Sequence, residues 1–257
     1  MPGIHNLISF SGGRSSAMML KMLIDSGIEN YTVVFANTGK EKNETLDFVN
    51  ECSVKWSIPI TWIEYTNEKP LFKIVDYSTA SRNGEPFEMI INRNPKYLPN
   101  ATQRFCTGDL KIKPMKRFMK SKGFKYWNCF IGIRYDEPLR WGKYLPNQQK
   151  EPWFYIMPLY EKKINKNSVF YFWRKQNFDL KINSHAGNCD LCFMKGRHKI
   201  ISLIRENNAL ADWWIKQEKQ TGATFRKGLS YAQMKEMANV PEFNFENELD
   251  YPCFCDL

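Results

Sequence analysis

Cysteine is the residue type in this sequence whose spacing most directly suggests chemistry. The 257-residue chain contains seven cysteines, of which Cys189 and Cys192 form a C-x-x-C pair and Cys253 and Cys255 lie in the last stretch, YPCFCDL. Residues 1–5 do not begin a signal peptide, so we expect a reducing, cytoplasmic setting in which thiols rarely form disulfides. The closely spaced pairs therefore predict either a metal centre or a reactive thiol.

A glycine pair between two apolar segments is the second candidate site. In LISFSGGRSSAMMLKML (7–23), Gly12 and Gly13 separate a strand-like run from a helical pattern. The unpaired N–H groups and the dipole of a helix N-terminus favour phosphate binding at such a turn. A serine-rich turn that only caps the helix has the same composition, so the turn alone does not decide between the two. Three hydroxyl groups add to the donors here: Ser11, Ser15 and Ser16.

The elements that must position these residues alternate between strand and helix. HNLISFS, YTVVFANTG, ITWIEYT and NCFIGIR (128–134) have strand patterns, and a polar helix is predicted over 42–56. The sequence therefore predicts an α/β fold with a doubly wound parallel sheet. After Pro158 the pattern is helical, so we expect a nucleotide-binding α/β domain over 1–160 and a helical C-terminal part over 161–257, packed together as one unit.

Polar loops follow three of the predicted strands. SGGRSS follows the first strand, NTGKE (37–41) the second and RYDEPLR (134–140) the fourth. Ligands of doubly wound sheets bind beyond the carboxyl ends of the strands, where these loops would meet. Three such loops at one edge predict a binding site there.

Charge and aromatic content indicate the kind of partner. Lysine and arginine number 37 against 27 acidic residues, a net charge of +10, which suits a nucleotide or a nucleic acid. The segments 169–173 (VFYFW) and 213–214 (WW) could stack on bases, although packing against the sheet is the favoured interpretation. No apolar run reaches the ~18 residues of a membrane span, so a membrane partner is not expected.

The motifs occur in an order that resembles the phosphoadenosine phosphosulfate (PAPS) reductase family of the adenine nucleotide α-hydrolase-like, or PP-loop, superfamily. The motifs that carry the resemblance are FSGGRSSA, VFANTGKE, RFCTGDLKIKP, GIRYDEPLR and CDLCF. The resemblance implies a sheet of about five parallel strands with an adenine nucleotide (ATP, APS or PAPS), with or without Mg²⁺, across its C-terminal edge.

The same resemblance implies the roles of individual residues. The phosphates would lie on the loop 11–16 and the adenine near Ala36 and Asn37. Arg134 and Lys111 would bind the anionic part of the nucleotide, and Glu137 would order the arginines. The implied nucleotide-binding residues are Ser9, Ser11, Gly12, Gly13, Arg14, Ser15, Ser16, Ala36, Asn37, Thr38, Gly39, Gly132, Arg134, Asp136, Glu137 and Arg140.

One position departs from the superfamily pattern. ATP-cleaving members usually read SGGxDS, whereas this chain has Ser15 at the acidic position and Arg14 before it. A serine offers a neutral hydroxyl where an aspartate would help to organise Mg²⁺. The sequence therefore puts ATP cleavage in doubt, and Arg14 could serve a sulfonucleotide or a polyphosphate instead.

The resemblance also implies a 4Fe–4S cluster. Cluster-containing members carry a Cys-Cys pair in the segment that here reads Phe105-Cys106. The predicted ligands are therefore Cys106, Cys189, Cys192 and one tail cysteine, Cys255 in preference to Cys253. A four-cysteine zinc site is the alternative, to which His185 could contribute. Cys52 and Cys129 are predicted to be core thiols. Cys129 is kept as a substitute ligand.

Two enzymatic reactions and one non-enzymatic role remain open. In the first, sulfur passes from a donor to an acceptor such as tRNA or DNA. In the second, a thiolate attacks the sulfonate of PAPS or APS, and a thioredoxin-like protein supplies electrons. The family's ECGxH-like tail is absent, but Cys253 could act as that thiol. The predicted catalytic residues are Cys253, Lys111 and Arg134; a nucleotide-binding redox sensor without turnover is the third possibility.

Overall fold

A six-stranded, mostly parallel sheet forms the centre of the molecule. The computed structural model describes residues 4–144, 151–182 and 187–240. In these residues the strand order is β4-β3-β2-β1-β5-β6, and β4 alone runs antiparallel to its neighbour. The strands are β1 His5–Ser9, β2 Tyr31–Asn37, β3 Ile60–Glu64, β4 Lys73–Val75, β5 Trp127–Phe130 and β6 Trp153–Ile156. The predicted α/β fold is confirmed, with five parallel strands and an added antiparallel edge.

The central strands are buried on both faces. In β2, Val33 and Phe35 contribute to one core and Val34 and Ala36 to the other, as side chains alternate along the strand. Strands covered on both faces read as nearly continuous apolar runs, which explains the sequence YTVVFAN. Helices therefore have to cover both faces of this sheet.

Helices α1 and α2 pack on one face and α5 on the other. The chain moves outward from β1 through β2 to β3 and then returns to place β5 on the other side of β1. This reversal leaves a crevice between the carboxyl ends of β1 and β5. The helices are α1 Arg14–Asp25, α2 Asn43–Trp56, α3 Glu85–Arg93, α4 Phe105–Thr107, α5 Lys113–Ser121, α6 Pro138–Tyr144, α7 Pro158–Glu161, α8 Lys166–Trp173, α9 Arg197–Glu206, α10 Leu210–Thr221 and α11 Tyr231–Ala238, with a π-helical turn, Gly108–Ile112, joining α4 to α5.

The C-terminal helices share a core with the sheet domain. Trp173 at the end of α8 lies edge-on to Phe48 of α2 at 5.0 Å between ring centroids, and it stacks on Trp56 at 5.9 Å. Trp214 of α10 contacts Phe87 of α3 at 6.1 Å. The favoured interpretation of the tryptophans as packing residues therefore agrees with the structure, since Trp173 and Trp214 are both buried.

Several element boundaries differ from the sequence prediction. The strand expected over 128–134 ends at Phe130, and β4 and β6 were not predicted. Within the C-terminal part that was predicted to be helical, α9 and α10 are separate helices, because Asn207 takes an extended conformation and its side chain accepts a hydrogen bond from the N–H of Ala209. In the described part of the chain, no helix has the length and apolar character needed to cross a membrane.

Candidate nucleotide and cysteine site

The glycine turn lies directly on α2. Gly12 has φ +75°, and a β-carbon there would lie 2.7 Å from Cγ2 of Thr45 and 3.0 Å from Cγ2 of Val49. Only glycine combines this backbone conformation with such close packing. The turn is therefore held against the helix that follows β2, with its chain entering α1 at Arg14.

The serine hydroxyls of the turn have different tasks. Ser16 Oγ accepts a hydrogen bond from Ser11 Oγ at 2.9 Å and donates one to the carbonyl of Gly13 at 2.9 Å. These two side chains shape the loop from within. Ser15 Oγ instead accepts a hydrogen bond from Arg134 Nη1 at 3.0 Å. The first-turn N–H groups of α1 therefore remain the groups of this loop that are best suited to a phosphate.

The segment after β5 approaches the start of α1 closely. A β-carbon on Gly132 would lie 2.8 Å from Cα and 3.0 Å from N of Ser16, both backbone atoms. Because the next residues carry the arginines of the site, this close approach places them beside the loop. Ser9, at the end of β1, is buried with its Oγ 3.7 Å from Met115 Sδ, so its side chain is directed toward α5.

The segment 134–140 brings two arginines onto one glutamate. Glu137 accepts from the backbone N–H of Arg134 at 3.0 Å and from Arg140 Nη1 at 2.7 Å. Asp136 accepts from Arg134 Nε at 2.9 Å. The side chain of Arg134 is 19% exposed, and Arg140 is buried. Glu137 therefore contacts both arginines, while their role in binding an anion stays a prediction.

A cleft of about 750 Å³ opens beside the loop. The loop residues 13–16 and Arg134 line the cleft, as do Lys166, Phe170 and Arg174 of the α8 segment. This volume is within the range of small-molecule sites. The cations among these residues suit a ligand that carries several phosphate or sulfate groups.

Arg14 is directed toward the C-terminal part of the chain. Its Nε and Nη2 donate to the two carboxylate oxygens of Asp179 at 2.7 and 2.9 Å, and Nη1 donates to the carbonyl of Ile182 at 3.2 Å. The carbonyl of Arg14 also accepts from Trp173 Nε1 at 3.0 Å. This arginine therefore fastens the segment 179–182 to the loop, although the sequence suggested a direct role in anion binding.

The loop after β2 is held by a buried carboxylate that the sequence analysis missed. Asn37 is fully buried, and its Nδ2 donates to Glu64 Oε1 at 2.6 Å and to the carbonyl of Ser81 at 2.8 Å. Asn37 Oδ1 accepts from the N–H of Gly39 at 3.1 Å. The side chain of Asn37 thus supports the loop next to buried Ala36. Glu64 is the last residue of the strand ITWIE. A charged residue at the end of an apolar strand is the sequence signal that could have indicated this buried carboxylate.

Glu41 links this loop to Lys111 and to Cys189. One of its carboxylate oxygens accepts from N and Oγ1 of Thr38 at 2.8 and 2.7 Å. The other lies 3.4 Å from Nζ of Lys111 and 4.0 Å from Sγ of Cys189. Glu41 and Lys111 are 0% and 7% exposed, so the pair is screened little by solvent. Lys111 lies in the π-helical turn, a feature that is frequent at functional sites.

The C-x-x-C segment is attached to both loops. The carbonyl of Asn188 accepts from the N–H of Lys42 at 2.8 Å, and Asn188 Nδ2 donates to the carbonyl of Ser11 at 3.0 Å. Lys40 and Asp190 form a buried ion pair at 2.7 Å. Cys189 therefore directly follows a residue that contacts the glycine turn. The sequence did not reveal this proximity.

The cysteines are only partly brought together. Cys189 and Cys192 share one loop, and Cys106 lies in α4, five residues before Lys111. Their thiols suit iron or zinc in chemical type. Within the described residues, however, no group of three or more His, Cys, Asp or Glu side chains is arranged to hold a metal ion. His185, Cys253 and Cys255 lie outside the described residues, so the ligand set stays a prediction.

Two other cysteines are buried thiols, as the sequence predicted. Burial raises the pKa of Cys129 in β5 to about 12. Burial, and then the nearby Glu51 carboxylate, raises the pKa of Cys52 in α2. Since metals bind the thiolate, both side chains are disfavoured as ligands.

The position of Arg134 allows a direct test of the cleft. Arg134→Ala is expected to weaken binding of ATP or PAPS about tenfold or more, because a charge-assisted hydrogen bond contributes ~1.5–3 kcal/mol. Arg134→Lys keeps the charge but lacks the planar fork, so its affinity should be intermediate. Isothermal titration calorimetry would measure the dissociation constants of both variants. Lys125→Ala, which removes the same charge from an exposed position before β5, is the control. An unchanged dissociation constant for Arg134→Ala would show that this arginine does not contact the nucleotide.

Comparison with known proteins gives one family and several relatives. Residues 5–180 match the family described as phosphoadenosine phosphosulfate reductase domain. An uncharacterised nin region protein of Escherichia phage lambda, ORF290, is 30% identical over 235 residues, which are 87% of this chain and 77% of that protein.

Two solved structures are also similar to this chain. The phosphoadenylyl-sulfate (PAPS) reductase from Candida auris in its phosphate complex is 13% identical with a TM-score of 0.46, covering 70% of this chain and 76% of that chain. The U34-tRNA thiolase NcsA from Methanococcus maripaludis with its 4Fe-4S cluster is 15% identical with a TM-score of 0.46, covering 98% and 79%.

Proposed function

Because this chain belongs to the phosphoadenosine phosphosulfate reductase domain family, we propose that it is an enzyme of sulfur chemistry that binds an adenine nucleotide. The phosphates lie at the start of α1, and Arg134 holds them from the side of β5. The observation that carries the proposal is the contact of Asn188 with Ser11, at 3.0 Å, directly before Cys189. This contact supports the proposal, because it joins the residue before Cys189 to the glycine turn.

The preferred reaction is nucleotide-dependent transfer of sulfur to an acceptor such as tRNA or DNA. An oxygen of the acceptor attacks the α-phosphorus of ATP and pyrophosphate leaves; a hydrosulfide equivalent from a sulfur donor then displaces AMP. Arg134 and the N–H groups of α1 stabilise the charge that develops on the phosphate. The basic balance of the chain supports a polyanionic acceptor.

Reduction of a sulfonucleotide is the second candidate, and the cation-lined cleft favours it. Lys166 and Arg174 add positive charge where a second phosphate or a sulfate would lie. A thiolate, for which Cys253 is the candidate, attacks the sulfonate sulfur and the adenosine phosphate leaves. One thiol of a thioredoxin-like dithiol then attacks the enzyme sulfur of the thiosulfonate, and sulfite leaves. The second thiol displaces the enzyme thiolate from the mixed disulfide, so that the dithiol becomes a disulfide and the enzyme thiol is regenerated. Ser15 in place of an acidic residue is compatible with this reaction, which does not cleave ATP.

A 4Fe–4S cluster on Cys106, Cys189, Cys192 and Cys255 completes the proposal. When bound, such a cluster can hold or activate sulfur or transfer electrons. The chain's contribution is to hold Cys189 and Cys192 against the loop after β2 through the ion pair of Lys40 with Asp190. Zinc on the same thiols is the alternative.

The products formed by anaerobically purified protein separate these reactions. AMP and pyrophosphate from ATP, formed with a sulfur donor and an acceptor present, support sulfur transfer. Sulfite formed from PAPS or APS with a thioredoxin-like reductant supports reduction instead. Consumption of none of the three nucleotides, when binding is measurable, would contradict both reactions and leave a nucleotide-binding redox sensor.

Cysteine substitutions test the metal site by colour and by metal content. Anaerobic protein should be brown with about four irons and four sulfides per chain. Each of four single substitutions should remove the colour: Cys106→Ser, Cys189→Ser, Cys192→Ser and Cys255→Ser. The control, Cys129→Ser, should keep it. Cys253→Ser should keep the colour, and loss of activity in that coloured variant would indicate the reductive thiol. A colourless wild-type protein with one zinc would contradict the cluster.

A further inference from the structure

Helix α8 presents two rows of cations and aromatic rings on its outer side. Lys166, Phe170 and Arg174 are spaced four residues apart, so they lie above one another on one face of the helical segment. Tyr171 and Lys175 form the neighbouring row. Phe170 and Tyr171 are 56% and 61% exposed, and their ring centroids are 5.7 Å apart. The guanidinium of Arg174 lies over Phe170 at 5.7 Å.

These two rings are not part of the hydrophobic core. The opposite face of α8 supplies Val169 and Trp173 to the core, and both are buried. The sequence VFYFW therefore contains two sets of apolar residues, of which one packs and the other faces solvent. Exposed large apolar side chains grouped in this way are typical of recognition surfaces. The packing interpretation of this segment is thus correct for Val169 and Trp173 and wrong for Phe170 and Tyr171.

The surroundings of the two rings are strongly basic. The segment 161–182 contains six lysines and arginines and only two acidic residues. One of these acids, Asp179, is already paired with Arg14. The segment that carries the rings therefore has an excess of positive charge, which suits a polyanion.

The same surface is continuous with the nucleotide cleft. Lys166, Phe170 and Arg174 line the same cleft as the loop residues 13–16. Tyr171 and Lys175 extend the surface away from it. A chain molecule that lay along α8 would therefore enter the cleft beside the expected phosphates.

We propose that the outer side of α8 binds a single-stranded segment of nucleic acid. Phe170 and Tyr171 stack on unpaired bases, while Lys166, Arg174 and Lys175 contact the backbone phosphates. Exposed aromatic rings among cations are the means by which proteins hold unpaired strands, since every base offers a face for stacking. In a duplex the base faces are covered by neighbouring pairs, so the rings select single strands. The inference rests on the proposed function only in identifying this strand as the acceptor of sulfur.

Fluorescence anisotropy with labelled 12-nucleotide DNA and RNA, single-stranded and duplex, tests the proposal in the absence of any nucleotide. The wild-type protein should bind the single strands more tightly than the duplex, with an affinity that falls steeply as salt rises. Phe170→Leu/Tyr171→Leu keeps apolar bulk and removes both rings, so single-strand affinity should fall about tenfold or more. Phe170→Trp/Tyr171→Trp should retain binding. Whether DNA or RNA binds better identifies the source of the strand.

Matched variants distinguish this surface from general charge and exposure. Lys166→Ala/Arg174→Ala should weaken binding of single strands far more than Lys120→Ala/Lys125→Ala, which removes the same charge from exposed positions around α5. Tyr126→Leu removes another exposed ring, 68% exposed, and should have no effect. Equal affinity of Phe170→Leu/Tyr171→Leu and the wild type, or tighter binding of duplex than of single strand, would overturn the proposal.

Separate titrations with ATP and PAPS keep this inference distinct from the proposed function. A protein that binds either nucleotide but no oligonucleotide would disprove the α8 surface and leave the nucleotide site intact. A protein that binds single strands through Phe170 and Tyr171 but neither nucleotide would support the surface and contradict the proposed enzyme.

Discussion

Gly132→Ala is expected to lower the affinity for an adenine nucleotide by about ten- to a hundredfold while the protein remains folded. The added β-carbon would lie 2.8 Å from Cα of Ser16 and 3.0 Å from its N, and neither backbone atom can rotate away as a side chain would. The start of α1 must therefore shift, and its N–H groups move with it. Each hydrogen bond to a charged phosphate contributes ~1.5–3 kcal/mol, which corresponds to this loss.

The fold should survive, because overpacking by one methyl group costs about 1–3 kcal/mol. Calorimetric titration gives the affinity, and urea unfolding gives the free energy of unfolding. Gly142→Ala is the matched control: this glycine lies in α6, with nothing within 4 Å of its would-be β-carbon. It should bind nucleotide normally and be at least as stable as the wild type. Normal affinity in folded Gly132→Ala would place the phosphates elsewhere than on the start of α1.

Asp190→Ala is expected to reduce the free energy of unfolding by about 3–5 kcal/mol. Asp190 Oδ2 lies 2.7 Å from Lys40 Nζ, and the two side chains are 10% and 9% exposed. The other oxygen of Asp190 accepts from Trp214 Nε1 at 3.1 Å. Removing the carboxylate leaves the ammonium group of Lys40 in a poorly solvated position without its counter-ion. The C-x-x-C segment loses its ion pair with the loop after β2, so iron retention should fall as well.

Two comparisons separate the effect of burial from that of charge. Asp212→Ala removes an ion pair of 2.5 Å with Lys235 in which the aspartate is 64% exposed. It should change stability by less than 1 kcal/mol. Lys40→Met/Asp190→Leu removes both charges and should recover most of the stability, since no buried charge is left alone. A urea midpoint for Asp190→Ala equal to that of Asp212→Ala would show that the buried pair contributes nothing particular.

The central sheet could be predicted because its strands are long apolar runs. β1 and β2 each lead into a loop rich in glycine and polar residues, so both their presence and the edge they share were visible in the sequence. β4 and β6 were not, since β4 has three residues and exposes Ile74 at 59%, and β6 exposes Phe154 at 52%. A strand this short is defined by its neighbour, which a linear pattern does not contain.

The candidate site could be predicted only where its residues are close in sequence. Glu137 and Arg140 are three residues apart, and their contact follows from the turn they share. The bond of Arg14 with Asp179 joins residues 165 positions apart, and it redirects a side chain that the sequence placed on a phosphate. The proximity of Glu41 to Cys189 could not be predicted either, because it arises from two loops that are far apart in sequence and meet in space.

Asn188 has a thermodynamic consequence for a protein that binds both nucleotide and metal. Its side chain donates to the carbonyl of Ser11, and its own carbonyl accepts from Lys42 and Thr45 beside the cysteine loop. Two ligands that share such a residue are subject to reciprocity: the factor by which metal changes the dissociation constant of nucleotide equals the factor by which nucleotide changes that of metal. For the nucleotide and the 4Fe–4S cluster proposed above, a metal that tightens nucleotide binding would itself be held more tightly, by the same factor, when nucleotide is bound.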